Sequence, residues 1–294
     1  MKTRTLDAGQ RCAVWLASVE DQLSNLVLET RDVLLEAPNW SLDGSALYAN
    51  GAGKLWRIPL DGEPMMEVPL SAVPDLNNDH VLAPDGKHIY LSAHDWNIYR
   101  AALDGGAAER ITTTPPIDGL MHFLHGVSPD GSRLAFVGVE TEDGNWAKAN
   151  IFTVASDGSD YKQLTFGSAP ADGCEYSPDG DWIYFNTEAF DGHAQIARIR
   201  PDGVDLQQLT FDDNVNWFPH LPPAGPYACY LAFPPGTAGH PPDVWVDLML
   251  VADGRWSEAR PLARVYGGQG TINVNSWSPD GRRFAYVSYD RDPA

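Results

Sequence analysis

One short motif recurs along the chain, and the spacing of its copies limits the fold more than any other feature. It reads Trp40-Ser41-Leu42-Asp43-Gly44, Leu82-Ala83-Pro84-Asp85-Gly86, Val127-Ser128-Pro129-Asp130-Gly131, Tyr176-Ser177-Pro178-Asp179-Gly180 and Trp277-Ser278-Pro279-Asp280-Gly281. A weaker copy, Leu221-Pro222-Pro223-Ala224-Gly225, fills the longest gap. The closing glycines stand at 44, 86, 131, 180, 225 and 281, with spacings of 42, 45, 49, 45 and 56 residues. Periods of this length with strand patterning mark the blades of a β-propeller.

The internal order of each repeat is also constant. A strand ends in a large apolar residue before the turn. A β-branched and aromatic strand follows, such as Leu134-Ala135-Phe136-Val137 or Ile183-Tyr184-Phe185. A third strand leads to a second turn at Asp61-Gly62, Asp104-Gly105, Asp157-Gly158, Asp202-Gly203 or Asp253-Gly254, and a fourth closes the unit, as in Gln163-Leu164-Thr165-Phe166. Glycine accepts positive φ, so Asp-Gly suits tight hairpins. Two hairpin turns per period predict four antiparallel strands per blade. The last repeat has only its first two strands, while Ala13–Ala17 and Asn25–Leu28 supply a third and a fourth. The expected fold is therefore all-β: one six-bladed propeller over residues 1–294, with blade six built from about 12–30 and about 271–290. Such closure leaves no open sheet edge.

These residues carry a family resemblance. The Ser-Pro-Asp-Gly turn, the Ile/Leu-Ala/Tyr-Phe/Tyr strand after it and the Gln-Leu-Thr-Phe strand resemble the WD40-like Pro-Asp repeat of TolB-like propellers. The resemblance covers nearly the whole chain. It implies a six-bladed ring and a binding role. The N-terminal α/β domain and secretion signal of TolB are not seen, so its partner is not carried over. The same repeat occurs in propellers attached to serine peptidases, and more loosely in oligogalacturonate lyases, which use histidines at a metal site. No Gly-x-Ser-x-Gly elbow occurs here, so no serine nucleophile is implied.

Composition narrows the function classes. Formal net charge is −20, which repels phosphate backbones and disfavours nucleic acid as a partner. Three scattered cysteines, Cys12, Cys174 and Cys229, give neither a disulfide framework nor a Cys-rich zinc site. They suit free thiols in a reducing compartment. With no apparent signal peptide and no run of membrane-spanning length, the expectation is a cytoplasmic monomer. Gly267-Gly268-Gln269-Gly270 lies in a blade crossing with no helix after it, so a phosphate loop is not expected.

Connectivity separates the two faces of the ring. One carries the short turns and is expected to be functionally quiet. The other carries the longer loops, including Val139 to Lys148, Glu188 to Ala194, Pro234 to Asp243 and Tyr266 to Thr271. Function on a rigid scaffold usually sits on such loops. Counting back from each turn places polar residues of the inner strands near the channel mouth on the long-loop face. The candidate binding set is His80, Asp79, His122, His125, Glu175, Asn216, His220, Asn273 and Asn275. The expected ligand is a protein, a peptide, or a small molecule such as a carbohydrate.

An alternative reading takes His80, His125, His220 and Glu175 as ligands of Zn, Mn or Fe. That set would serve a metal-dependent lyase or hydrolase, with a neutral histidine as general base. Trp96, Trp146, Trp217 and Phe218 are candidates for stacking on a ligand, against the plainer reading that they pack between blades. Arg100, Arg110 and Arg198 are expected on outer surfaces.

Overall fold

The structure, a computed structural model, describes residues 3–292. The ends of the expected domain, residues 1–2 and 293–294, lie outside the described residues. The turn motif explains itself at the atomic level. In the Ser-containing copies, the serine hydroxyl donates to the aspartate at 2.6–2.7 Å, at Ser41–Asp43, Ser128–Asp130, Ser177–Asp179 and Ser278–Asp280. The same hydroxyls accept the amides of Ala46, Arg133, Trp182 and Arg283 at 2.9–3.0 Å. The aspartates accept the amides of Ser45, Ser132, Asp181 and Arg282. Each turn thus satisfies its own polar groups before any tertiary contact is made.

Five four-stranded antiparallel sheets follow in chain order. Blade one comprises Leu35–Trp40, Ala46–Gly51, Lys54–Pro59 and Met66–Glu67; blade two comprises Leu76–Leu82, His88–Ala93, Ile98–Ala102 and Glu109–Arg110. Blade three has Met121–Val127, Arg133–Glu142, Asn145–Ala155 and Lys162–Gln163. Blade four has Ala171–Tyr176, Ile183–Thr187, Gln195–Ile199 and Gln207–Gln208, and blade five Val215–His220, Tyr227–Phe233, Pro242–Ala252 and Arg260–Gly268. Outer strands are short where Thr112, Thr165 and Thr210 end them. Their hydroxyls accept the amides of Ile98, Ile151 and Ile196 at 2.9 Å, so a side chain extends the ladder past the last strand pair.

Blade six is closed by both ends of the chain. Cys12–Ser18 pairs antiparallel with Arg283–Ser288, from Ala13 opposite Ser288 to Ser18 opposite Arg283, and with Ser24–Thr30 on its other side. The inner position is held by residues 271–277, which form no regular strand. Val287 donates to the Thr271 carbonyl at 3.1 Å and Ala285 to Ser276 at 3.0 Å, and Trp277 bridges to Phe284. Gly270 leads into this segment at φ +92, where a Cβ would strike the Tyr289 hydroxyl and the Glu36 side chain.

The buried apolar residues form six clusters, one in each gap between neighbouring blades. Both faces of a blade are therefore covered, which is why Ala46–Gly51 and Ile183–Thr187 are buried along their whole length. Asn39 of the Asn-Trp-Ser sequon is 2% exposed in an inner strand, so no glycan fits there. Replacing Ser278 with Ala removes the turn's hydrogen-bond centre in the closing blade. It should lower unfolding stability by about 1–3 kcal/mol, read as a reduced urea midpoint with unchanged m-value.

Candidate functional site

The inner strands do not run straight to the axis. Their pairing with the second strand slips between Glu36 and Asn39, Leu76 and His80, Leu124 and Gly126, Asp172 and Glu175, and Trp217 and His220. Ala37, Gly173 and Phe218 take left-handed φ values of 53, 64 and 56 at these bulges. A bulge re-aims the side chains beside it. For this reason a single count back from the turn glycine does not give a single ring. The predicted site residues fall into three places.

The first place is the channel mouth on the long-loop face. Asp79, His125, Asp172 and Asn273 meet there with Asn77, Asn78, Gln269 and His240 around a cavity of about 50 Å³. His125 spans the axis. Its Nδ1 donates to the Asn273 carbonyl of blade six at 3.0 Å, and its Nε2 lies 3.2 Å from Asp172 and 3.8 Å from Asp79. Burial would lower its pKa, but the Asp79 and Asp172 carboxylates outweigh this and raise it to about 9. Burial pushes Asp79 up to about 7. Asp172 would also rise on burial, but its hydrogen bond to His125 holds it below the usual carboxylate range. The neighbouring carboxylates thus favour a proton on His125, and burial disfavours charge on Asp79. Phe123, Trp146 and Phe218 wall the cavity.

The second place is the turn-face half of the channel. His220 Nδ1 lies 2.6 Å from Glu175 Oε2, and its Nε2 bonds the Ile272 carbonyl. Glu175 Oε1 accepts the Leu221 amide at 2.9 Å and Asn275 Nδ2 at 2.7 Å. These contacts clamp blades four, five and six together.

The remaining three residues lie away from the axis. His80 Nε2 faces the Tyr48 carbonyl of blade one at 3.4 Å, and burial lowers its pKa to about 4. His122 packs on Phe136 and bonds the Trp96 carbonyl at 2.8 Å; burial lowers it likewise to about 4. Asn216 donates to Thr210 and Asp212 at 3.2 Å, fixing the start of an inner strand.

The four residues of the metal reading are thus divided among all three places. His80 is behind the channel wall, His125 at the upper level, and Glu175 with His220 at the lower. Among the described residues no group of three or more His, Cys, Asp or Glu side chains is placed to hold a metal ion. The bulges separate what the sequence register had aligned. Of the candidate stacking residues, Trp217 and Phe218 are core, Trp96 packs on Phe123, and Trp146 is 56% exposed. Arg100, Arg110 and Arg198 sit on outer blade elements, with Asp85, Asn97 and Gln207 as partners.

Two site elements were not legible. His240 packs on Trp217 with ring centres 4.0 Å apart, from inside the Pro234 to Asp243 loop, where no register applies. Arg4 reaches in from the N-terminal segment to Glu36 at 2.7 Å, beside Asp243 at 3.8 Å.

The His125 charge makes a pH prediction. A folded-state pKa near 9, against an ordinary 6.5, means stabilisation fully present below pH 6.5 and lost as pH rises through 9. The stability difference between wild type and His125→Gln should therefore shrink over that window in urea titrations. A difference independent of pH would show that the ring is not charged.

Comparison with known proteins places this architecture. No family model matches the chain. Uncharacterized protein Atu1656 of Agrobacterium fabrum is 34% identical over 284 residues, covering 95% of this chain and 92% of its own length. The solved structure of "putative TolB" from Agrobacterium tumefaciens superposes with a TM-score of 0.87 at 33% identity, covering 96% of this chain and 99% of that one. TolB from Acinetobacter baumannii shares the fold at a TM-score of 0.60 and 16% identity, over 95% and 66% of the two chains. An oligogalacturonate lyase solved with manganese does so at 0.58 and 12%, over 95% and 77%. The chain therefore belongs to the family of the Agrobacterium protein Atu1656, a family of TolB-like six-bladed propellers.

Proposed function

We propose that the protein is a TolB-like binding propeller that holds a protein or peptide partner on its long-loop face, centred on the channel mouth. One observation carries this reading. Trp146, Phe166, Phe190, Phe211 and Trp245 are 56%, 76%, 37%, 69% and 51% exposed. Strand direction puts all five on the long-loop side of blades three to five. Trp146, Phe190 and Trp245 flank connections between second and third strands, and Phe166 and Phe211 begin the crossings to the next blade. Aromatic side chains left in water on one side of a rigid scaffold are the usual anchors of a protein interface.

The size of the mouth and the charge of the chain agree. A cavity of about 50 Å³ takes the tip of a side chain rather than a sugar ring. The chain carries a net charge of −20, so a basic partner surface suits the long-loop face best. The three buried free thiols are in keeping with a reducing compartment. A metal-dependent lyase or hydrolase is less well supported, because the residues it would need are apart.

The test is a comparison of wild type with a Trp146→Ala/Phe166→Ala/Phe211→Ala variant. Proteins retained by the first and lost by the second should be purified and titrated by calorimetry. A partner whose affinity falls at least tenfold in the variant supports the reading. Equal binding by both, or turnover of a small substrate with no dependence on the aromatic arc, contradicts it.

A further inference from the structure

The larger axial cavity opens on the opposite face. It has a volume of about 320 Å³, within the range of small-molecule sites. Its collar is the repeat itself: Leu42, Pro84, Pro129, Pro178, Pro223 and Pro279, each two residues before a turn glycine. Around blades one to four the turns of the collar lean on one another. A Cβ on Gly86, Gly131 or Gly180 would lie 3.5–3.7 Å from Leu42, Pro84 or Pro129 of the preceding blade. Proline rings have little freedom to lose on binding, so this wall is preformed.

Below the collar stand Trp40, Tyr176 and Trp277, and the floor is made by Asn39, Glu175, Asn275 and His125. His125 lines both this cavity and the one at the long-loop mouth, and is the partition between them. Most floor groups are already engaged: Glu175 with His220, Leu221 and Asn275, and Asn275 Nδ2 also with the Leu221 carbonyl. Asn39 is the exception. Its Nδ2 donates to the Asn275 carbonyl at 2.6 Å, but its Oδ1 has no partner although the residue is 2% exposed. A buried acceptor without a donor is costly, and a ligand donor would offset that cost.

The rim selects by charge. Asp43, Asp85, Asp130, Asp179 and Asp280 surround the collar, one beside each of five collar residues. All five are held ionised by hydrogen bonds from the turn. An anion approaching this mouth is repelled.

The geometry points to a second binding site in the turn-face funnel, for a small molecule with an apolar ring body, one N–H or O–H donor and no negative charge. It is separate from the long-loop face and stands or falls independently of the partner proposed there. The test uses four probes: benzyl alcohol, benzylamine, benzyl methyl ether and benzoate. Saturable shifts of the Trp40 and Trp277 indole signals and of the His125 ring are followed by NMR. Benzyl alcohol and benzylamine should bind about tenfold more tightly than the ether, which has no donor, and than the anion. Asn39→Leu should erase the preference of alcohol over ether while keeping apolar binding. Leu42→Trp, which narrows the collar at its one non-proline position, should weaken all four, with an unchanged melting midpoint showing that the ring is intact. The inference is overturned by absence of saturable shifts, by equal affinity for alcohol and ether or for alcohol and benzoate, or by binding unaffected in a folded Leu42→Trp variant.

Discussion

The antiparallel pairing of Cys12–Ser18 with Arg283–Ser288 is the contact on which the rest of the structure depends. Each blade is apolar on both faces and can be buried only between two neighbours. A row of blades has two unburied ends, and a ring has none. The first and last strands therefore bury Val14, Leu16, Ala285 and Val287 in one cluster and Ala17 with Phe284 in the next, on the two sides of the closing blade. Closure also brings Arg4 to Glu36 and sets Tyr289 beneath it, with the guanidinium 4.9 Å from the ring centre. Without closure there is no axis, and the inner-strand polar groups would have no common space to face.

Closing six blades places polar side chains of every inner strand near one line, where each must find a partner. The molecule solves this at two levels. Near the turns, Glu175 and His220 join blades four to six. Near the long loops, His125 crosses from blade three to blade six. Because His125 blocks the axis, the channel is two vestibules rather than a pore. The upper one is small and polar, with exposed aromatics on the long-loop side of blades three to five. The lower one is larger, mainly apolar and walled by prolines. The same fold thus offers two surfaces of different chemistry, separated by a single imidazole.

The fold was legible because its determinants are local. Ser-Pro-Asp-Gly satisfies its own hydrogen bonds, so its spacing reports blade length directly, and the half-repeat at each terminus announces the closure. The site was only partly legible. Asp79, His125 and Asn273 reach the long-loop mouth, but Glu175, His220 and Asn275 sit a level lower and His80, His122 and Asn216 face elsewhere. The cause is the bulge, which lengthens an inner strand without changing the turn after it. Composition does not announce it, since it forms at Ala37 and Phe218 as well as at Gly173. His240 and Arg4 arrive from segments outside the repeat. The sequence leaves the turn face functionally quiet, because each proline is explained by its own turn. Six such turns in a circle also make a collar, which one turn does not show.

Recognition of a macromolecular partner is proposed to belong to the long-loop face. A photo-crosslinking amino acid placed at Trp146, and in a parallel sample at Asp181 on the turn face, tests it directly in the cell of origin. A discrete protein adduct is expected from position 146, competed by excess unlabelled wild type, and none from position 181. Adducts from 181 alone, or equal and uncompeted adducts from both, would contradict it.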